Sequence, residues 1–197
     1  MLGQWHGRPA RPASPAWNLA KTLAQTGVFW AVFLFLLPAL VYSAESAIGL
    51  TWWRFPSLVA QIGGSLLFVV GASLGTLSGV IMAFAGHGTP LPFDCARELV
   101  LAGPYRYVRN PMAVAGLLQG VAVGIFLGSP AVALYALAGG PVWNYFVRPA
   151  EELDLLARFG DAYRVYQSEV PCWLPRRQPY HAQRSAAAPI LKDAPRE

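Results

Sequence analysis

LVAQIGGSLLFVVGASLGTLSGVIMAFA, residues 58–85, runs for 28 residues without a charge. As a straight helix it would be about 42 Å long, against a bilayer hydrocarbon core of roughly 30 Å. Such a run reads as a membrane span that tilts, kinks or projects beyond the bilayer. Gly71, Gly75 and Gly79 recur every four residues within it. On a helix they share a face and let a second backbone approach closely, here as packing within one chain. Three more apolar runs surround it. Residues 27–44, GVFWAVFLFLLPALVYSA, are uncharged, and the run at 111–128 opens with a proline suited to a first helical turn. The run at 131–147 follows the turn signal Gly128-Ser129-Pro130 and is interrupted by Gly139-Gly140-Pro141, which predicts a kink. The expected fold is all-α: an integral membrane bundle of four transmembrane helices plus a C-terminal cytosolic amphipathic helix.

Composition supports this class. The chain has 197 residues, 55% hydrophobic and 13% charged, with a mean hydropathy of +0.39. Soluble domains carry roughly 25% charged residues. Two cysteines exclude a disulfide framework and a four-cysteine zinc site. The net charge of +5 is an orientation signal rather than a nucleic-acid surface. With four spans, 14 of the 15 basic residues fall on one side, and only Arg54 falls on the other. That side is expected to be cytoplasmic, with both termini, and the membrane to be a bacterial inner membrane. Small residues at 43–47 resemble a signal-peptide cleavage site, but the run at 27–44 exceeds the usual 7–15 residues. It is therefore expected to be a retained span. Residues 1–26 read as a cytosolic N-terminal segment, 27–177 as the membrane domain and 178–197 as a flexible tail. Trp5, Trp17, Trp52 and Trp53 suit the membrane interface.

Polar residues concentrate in two segments on the same predicted face. The first is 86–111, GHGTPLPFDCARELVLAGPYRYVRNP, and the second is 148–175, RPAEELDLLARFGDAYRVYQSEVPCWLP. A hairpin of spans three and four brings their ends together. Gly86-His87-Gly88 permits close backbone approach, to a ligand or simply at a flexible span exit. Arg106 and Arg109 are three apart and would share a face on a helical turn. Either can fork onto a carboxylate or sit among lipid headgroups. Arg109, beside Tyr107 and Asn110-Pro111, is favoured for a site. Glu151 and Glu152 diverge by about 100° on a helix, so one can face inward while the other faces water. Leu156, Phe159, Tyr163, Tyr166 and Val170 form an apolar stripe, on a helix expected to bend at Gly160. His87 is a candidate cofactor contact or proton acceptor. With Cys95 it falls short of the three or four ligands that zinc takes.

Several elements recur in a fixed order: Gly88-Thr89-Pro90-Leu91-Pro92, Gly103-Pro104-Tyr105-Arg106-x-x-Arg109-Asn110-Pro111 and Glu151-Glu152. They are followed by Phe159-Gly160-x-x-Tyr163-x-x-Tyr166 and Val170-Pro171-x-Trp173-x-Pro175. Over residues 86–175 this pattern resembles the isoprenylcysteine carboxyl methyltransferase and phospholipid methyltransferase superfamily. The resemblance implies a membrane enzyme that binds S-adenosylmethionine at the cytosolic end of the bundle and methylates a lipophilic or lipid acceptor. It implies that Gly86, Gly88, Glu151 and Glu152 hold the cofactor, and that Arg109, Asn110 and Pro111 line its site. Asparagine replaces the family's histidine, and Ala113 stands where a tyrosine is usual. Both departures weigh against a prenylcysteine substrate. Arg109 or Arg106 would take the cofactor carboxylate, and Glu152 the ribose diol. Tyr105 or Tyr107 would face the sulfonium. Arg109, Asn110 and Glu152 are the expected catalytic residues, and the acceptor is a carboxylate, amine or thiol. Membrane reductases using NADPH share a related C-terminal architecture and supply the alternative, beside a non-catalytic homologue.

Overall fold

The computed structural model describes residues 12–89 and 95–181. Trp5 and Pro90-Leu91-Pro92 therefore lie outside the described residues, as does the chain beyond His181. The described chain is helical. Its helices are α1 (Pro15–Trp30), α2 (Leu37–Ala47), α3 (Leu58–Ala85), α4 (Pro111–Phe126), α5 (Pro130–Val142) and α6 (Arg148–Glu169). π-Helical segments at Ala31–Leu36 and Trp143–Val147 join α1 to α2 and α5 to α6. Four starts have side-chain caps: Ser14, Ser57, Asn110 and Ser129 accept from the backbone N–H three residues on. Proline in the first turn supports three of them.

The first helix departs from expectation. It begins at Pro15 rather than residue 27 and runs unbroken to Ala47, 33 residues in all. The prolines at 12 and 15 do not keep it extended, because Pro15 occupies a position where its missing N–H costs nothing. Pro15–Ala47 and Leu58–Ala85 are each long and apolar enough to cross a membrane. Helix α4 is apolar but only 16 residues long. The kink expected at 139–141 takes the form of the π-segment that follows Pro141.

Helix α3 packs on α4 through the glycine face. A Cβ on Gly71 would sit 2.8 Å from Gln119 Cγ, one on Gly75 3.3 Å from Ala115 Cβ, and one on Gly64 2.7 Å from the Phe126 nitrogen. The glycine spacing thus serves packing within the chain. Helix α5 continues the layer against α4, α1 lies on α3 and α2 on α5. Large apolar side chains point outward, among them Val59, Leu66, Val69, Tyr145 and Phe146. Glu45, Ser78, Gln119 and Ser129 point inward. That inverted distribution suits a hydrocarbon surround.

The two ends of the bundle differ. At one end Glu45, 2% exposed, accepts from Arg54 Nε at 2.9 Å, from Ser129 Oγ at 2.7 Å and from the Trp53 indole. Arg54 also lies 3.7 Å over the Tyr42 ring. The single cation predicted for that face is therefore neutralised inside the fold. At the other end lie the start of α4, the α5–α6 junction and the end of α3.

Helix α6 reverses at Gly160, whose φ of +53° and ψ of −128° no side-chain-bearing residue adopts comfortably. Gln167 Nε2 donates to Glu152 Oε2 at 2.9 Å. Fifteen residues of straight helix would hold those two residues about 22 Å apart. The second half therefore folds back and buries Tyr163, Tyr166 and Val170 with Tyr180. Tyr180, at the start of the stretch 178–197 expected to be a loose tail, is held in place. Its N–H donates to the Arg106 carbonyl at 2.7 Å, and its carbonyl accepts from Arg106 Nε at 2.8 Å.

Gly160→Ala should cost about 1–3 kcal/mol, the usual cost of a residue held in a disfavoured backbone region. Gly116 has no heavy atom within 4 Å of its virtual Cβ. Gly116→Ala should therefore be neutral or slightly stabilising. Thermal unfolding of the two variants in one detergent checks this, and equal midpoints would contradict the reversal at Gly160.

Candidate active site

The site starts from a turn. Residues Gly103–Arg106 form a single 3-10 turn, after which Asn110 caps α4 through its Oδ1. Arg109 sits between these elements and is fixed through its backbone, whose N–H donates to the Pro171 carbonyl at 2.9 Å. Arg176 N–H donates to the Tyr107 carbonyl, also at 2.9 Å. The segment after α6 thus lies along the turn before α4, and the two polar segments predicted from sequence meet.

Their side chains meet as well. Arg109 Nη1 donates to Glu152 Oε1 at 2.7 Å, and Arg148 Nε donates to the same oxygen at 2.9 Å. Gln167 occupies Oε2. Both oxygens of Glu152 are thereby engaged from three directions. Arg148 also donates to Asn144 Oδ1, which accepts from the Trp173 indole too. The Glu152 hydrogen bond holds the Arg148 guanidinium above its usual range. Tyr163 is pushed up to about 12 by burial and the Glu152 charge. Arg109 Nε is buried and has no partner among the described residues.

Glu151 is placed differently. Its one hydrogen bond among the described residues is a long one, from Asn110 Nδ2 at 3.4 Å. Burial, then the neighbouring Glu152 charge, raises its carboxyl from 4.5 to about 7. The doublet thus splits into a saturated carboxylate and a poised one.

The other predicted residues are scattered around this centre. Arg106 does not share a face with Arg109, because the 3-10 turn ends between them. Its guanidinium turns to the Tyr180 carbonyl and the His181 ring. Tyr105 is buried, donating to the Ser78 carbonyl and accepting at its own carbonyl from Tyr166. Tyr107 is exposed and Pro111 is buried in the first turn of α4. Gly86 and Gly88 do allow close approach, but to the chain itself. Their virtual Cβ atoms fall 2.8 Å from Ala96 Cβ and 2.6 Å from the Cys95 carbonyl oxygen. Arg158 links the Ala96 carbonyl to Asp154 of α6. His87, with φ of +51°, lies 3.8 Å from exposed Glu98. Arg148 and Gln167 went unnoticed in the sequence. Arg148 had a signal, its spacing of four from Glu152 on one helix. Gln167 had none until the reversal at Gly160 is known.

A helical bundle with membrane-compatible helices thus carries two joined polar segments at one end. The chain belongs to the phospholipid methyltransferase family, whose model matches residues 59–162. That match spans α3 to the start of α6's second half and includes both halves of the cluster. The chain is also 29% identical over 163 residues to the methanethiol S-methyltransferase of Crocosphaera subtropica. The alignment covers 74% of this chain and 59% of that relative. The membrane-reductase alternative gains no support from either similarity.

Two variants separate the carboxylates. Glu152→Gln leaves two arginines underpaired and should cost about 1.5–3 kcal/mol. Glu151 binds its proton more tightly folded than unfolded, so stability falls as pH rises from about 4.5 to about 7. Unfolding midpoints measured across that range should decline in the wild type and flatten in Glu151→Gln. An equally steep decline in the variant would remove Glu151 as the group responsible.

Proposed function

We propose that the protein transfers a methyl group from S-adenosylmethionine to a small lipophilic acceptor, at the cytosolic end of a four-span bundle. In this reading α4 and α5 are the third and fourth spans, both termini face the cytosol of a bacterial inner membrane, and the membrane domain expected at 27–177 takes in α1 from Pro15 onward. The observation that carries the proposal is the cluster of Arg109, Asn110, Glu151 and Glu152, drawn from two segments and closed by Pro171.

The donor set fits the cofactor. Arg109 keeps a buried N–H without a partner among the described residues, suited to the cofactor's carboxylate. Exposed Tyr107 offers an aromatic face to a cation. S-Adenosylmethionine supplies a methyl already activated on a sulfonium sulfur, which retains the electron pair of the broken bond. The protein's share is to align the acceptor, exclude water and manage the proton. Glu152, saturated by its three donors, holds Arg109 and Arg148 in place. Glu151 is the proton acceptor, because a carboxyl near 7 is matched to that work at neutral pH. A carboxylate acceptor would not need it, whereas a thiol or amine would. The relative's name specifies a thiol acceptor for that protein, and a thiol is the acceptor favoured for this one.

Calorimetry with S-adenosylhomocysteine should show binding to the purified wild type, weakened at least about tenfold by Arg109→Ala. Glu151→Gln should keep that binding and lose about 10²–10⁴-fold in kcat for label transfer to an alkanethiol. Transfer to the alkanethiol at full rate in Glu151→Gln would reject the proton-acceptor role. Absence of S-adenosylhomocysteine binding would reject the methyltransferase cofactor altogether.

A further inference from the structure

Inside the bundle, three buried side chains carry hydrogen-bonding atoms that no other group among the described residues answers. Asn18 is 0% exposed, and neither its Oδ1 nor its Nδ2 has a partner among the described residues. The same holds for Thr22 Oγ1 and Gln119 Nε2, on residues 2% and 1% exposed. Gln25 Oε1 is a fifth such atom, on a fourth residue. Asn18, Thr22 and Gln25 follow one another at spacings of four and three, on one face of α1.

The glycine ladder of α3 gives them their place. Thr22 Cγ2 lies 3.1 Å and Met112 Cε 3.9 Å from where a Cβ on Gly79 would be. Gln119 Cγ rests over Gly71 in the same manner. Met112 comes two residues after Asn110, the partner of Glu151. The polar column therefore begins beside the candidate active site and reaches inward along α4 to Gln119.

Hydrocarbon cannot compensate an unmade hydrogen bond, and native interiors leave few of them. Uncharged donors and acceptors at this depth mark a path for a polar group. None of the four residues is charged, and the orphaned atoms include both donors and acceptors. The matching group is neutral and can both donate and accept, as a hydroxyl or thiol does. A carboxylate placed here would meet no charge on these four residues.

We propose that Asn18, Thr22 and Gln119 form an uncharged seat for the head group of a neutral, membrane-dissolved acceptor, guiding it to the Asn110–Glu151 end of the bundle. The seat deepens the methyltransferase reading and depends on it for its purpose. It is closed in this structure. It opens by α1 moving from α3, for which the π-helical segment Ala31–Leu36 is the natural hinge. The outer face of α1, with Trp17, Val28 and Phe29 exposed, lies on the route from lipid.

The test compares three probes of one chain length: 1-octanethiol, 1-octanol and octanoate. Binding to the purified full chain is followed by thermal shift in the presence of S-adenosylhomocysteine. The two neutral probes should stabilise the wild type, and octanoate should not. Thr22→Val and Asn18→Leu should weaken the neutral probes by roughly tenfold or more, the scale of one lost hydrogen bond in a desolvated site. Thr22→Ser should restore them. Without probe, Thr22→Val and Asn18→Leu should unfold at the wild-type temperature or above, because each removes an unsatisfied buried group. Lower midpoints with unchanged probe binding would mean a purely structural role and overturn the proposal. Equal stabilisation by octanoate, or none by either neutral probe, would overturn it as well. Calorimetry of S-adenosylhomocysteine alone reads the cofactor site separately, so its failure would strike the methyltransferase reading and leave the probe result standing.

Discussion

Glu152 is the residue on which the candidate site depends. It receives Arg109 from the turn before α4, Arg148 from the start of α6 and Gln167 from the returning half of α6. Those three donors come from separate stretches of chain. A carboxylate between two guanidiniums brings these stretches together more firmly than apolar contact can, because hydrogen bonds to charged groups are directional and strong. It also leaves Glu152 no free oxygen. The adjacent Glu151 takes the opposite character, a buried carboxyl with one long hydrogen bond among the described residues. Two neighbouring glutamates thus receive different chemistry from their surroundings.

The far end of the bundle shows how the same kind of pairing fixes architecture. Glu45 and Arg54 lie in a face with no other predicted charge, and each has found the other. Ser129 both caps α5 and donates to Glu45, so the end of α2, the loop after it and the α4–α5 turn are held by one cluster. With all its groups satisfied, this cluster is suited to hold helices rather than to receive a ligand. The two ends are built alike but differ in saturation. At the end where the polar segments meet, Glu151 is weakly bonded and Arg109 Nε has no partner among the described residues.

Much of this was legible in the sequence where the signal is local. The uncharged run at 58–85, the proline and asparagine opening α4, the glycine face of α3 and the bend at Gly160 each follow from residues a few positions apart. The meeting of Arg109 with Glu152 followed from topology, since a hairpin returns its ends to one face. What escaped depends on distance along the chain. Glu45 carries no local signal of its role, which rests on Ser129, 84 residues away, donating to it. The start of the first helix was missed because hydropathy marks where a helix enters an apolar phase, not where it begins. Asn18, Thr22 and Gln25 seemed part of a polar leader. They in fact form the inward face of a helix already under way.

That last point bears on how a membrane enzyme handles a substrate dissolved in lipid. A greasy acceptor gains little by leaving hydrocarbon for an apolar tunnel, since the two environments are nearly alike. Discrimination must come from the acceptor's one polar group, which lipid leaves unsatisfied. A column of uncharged amides and a hydroxyl offers that group hydrogen bonds along the way without offering a charge that would hold it fast. In the proposed reading the charged groups, Arg109, Arg148 and the glutamates, stand at the end that a water-soluble cofactor would reach. On that reading, placing neutral polarity deep and ionic polarity shallow would let one small bundle sort two ligands of opposite solubility onto a single reaction centre.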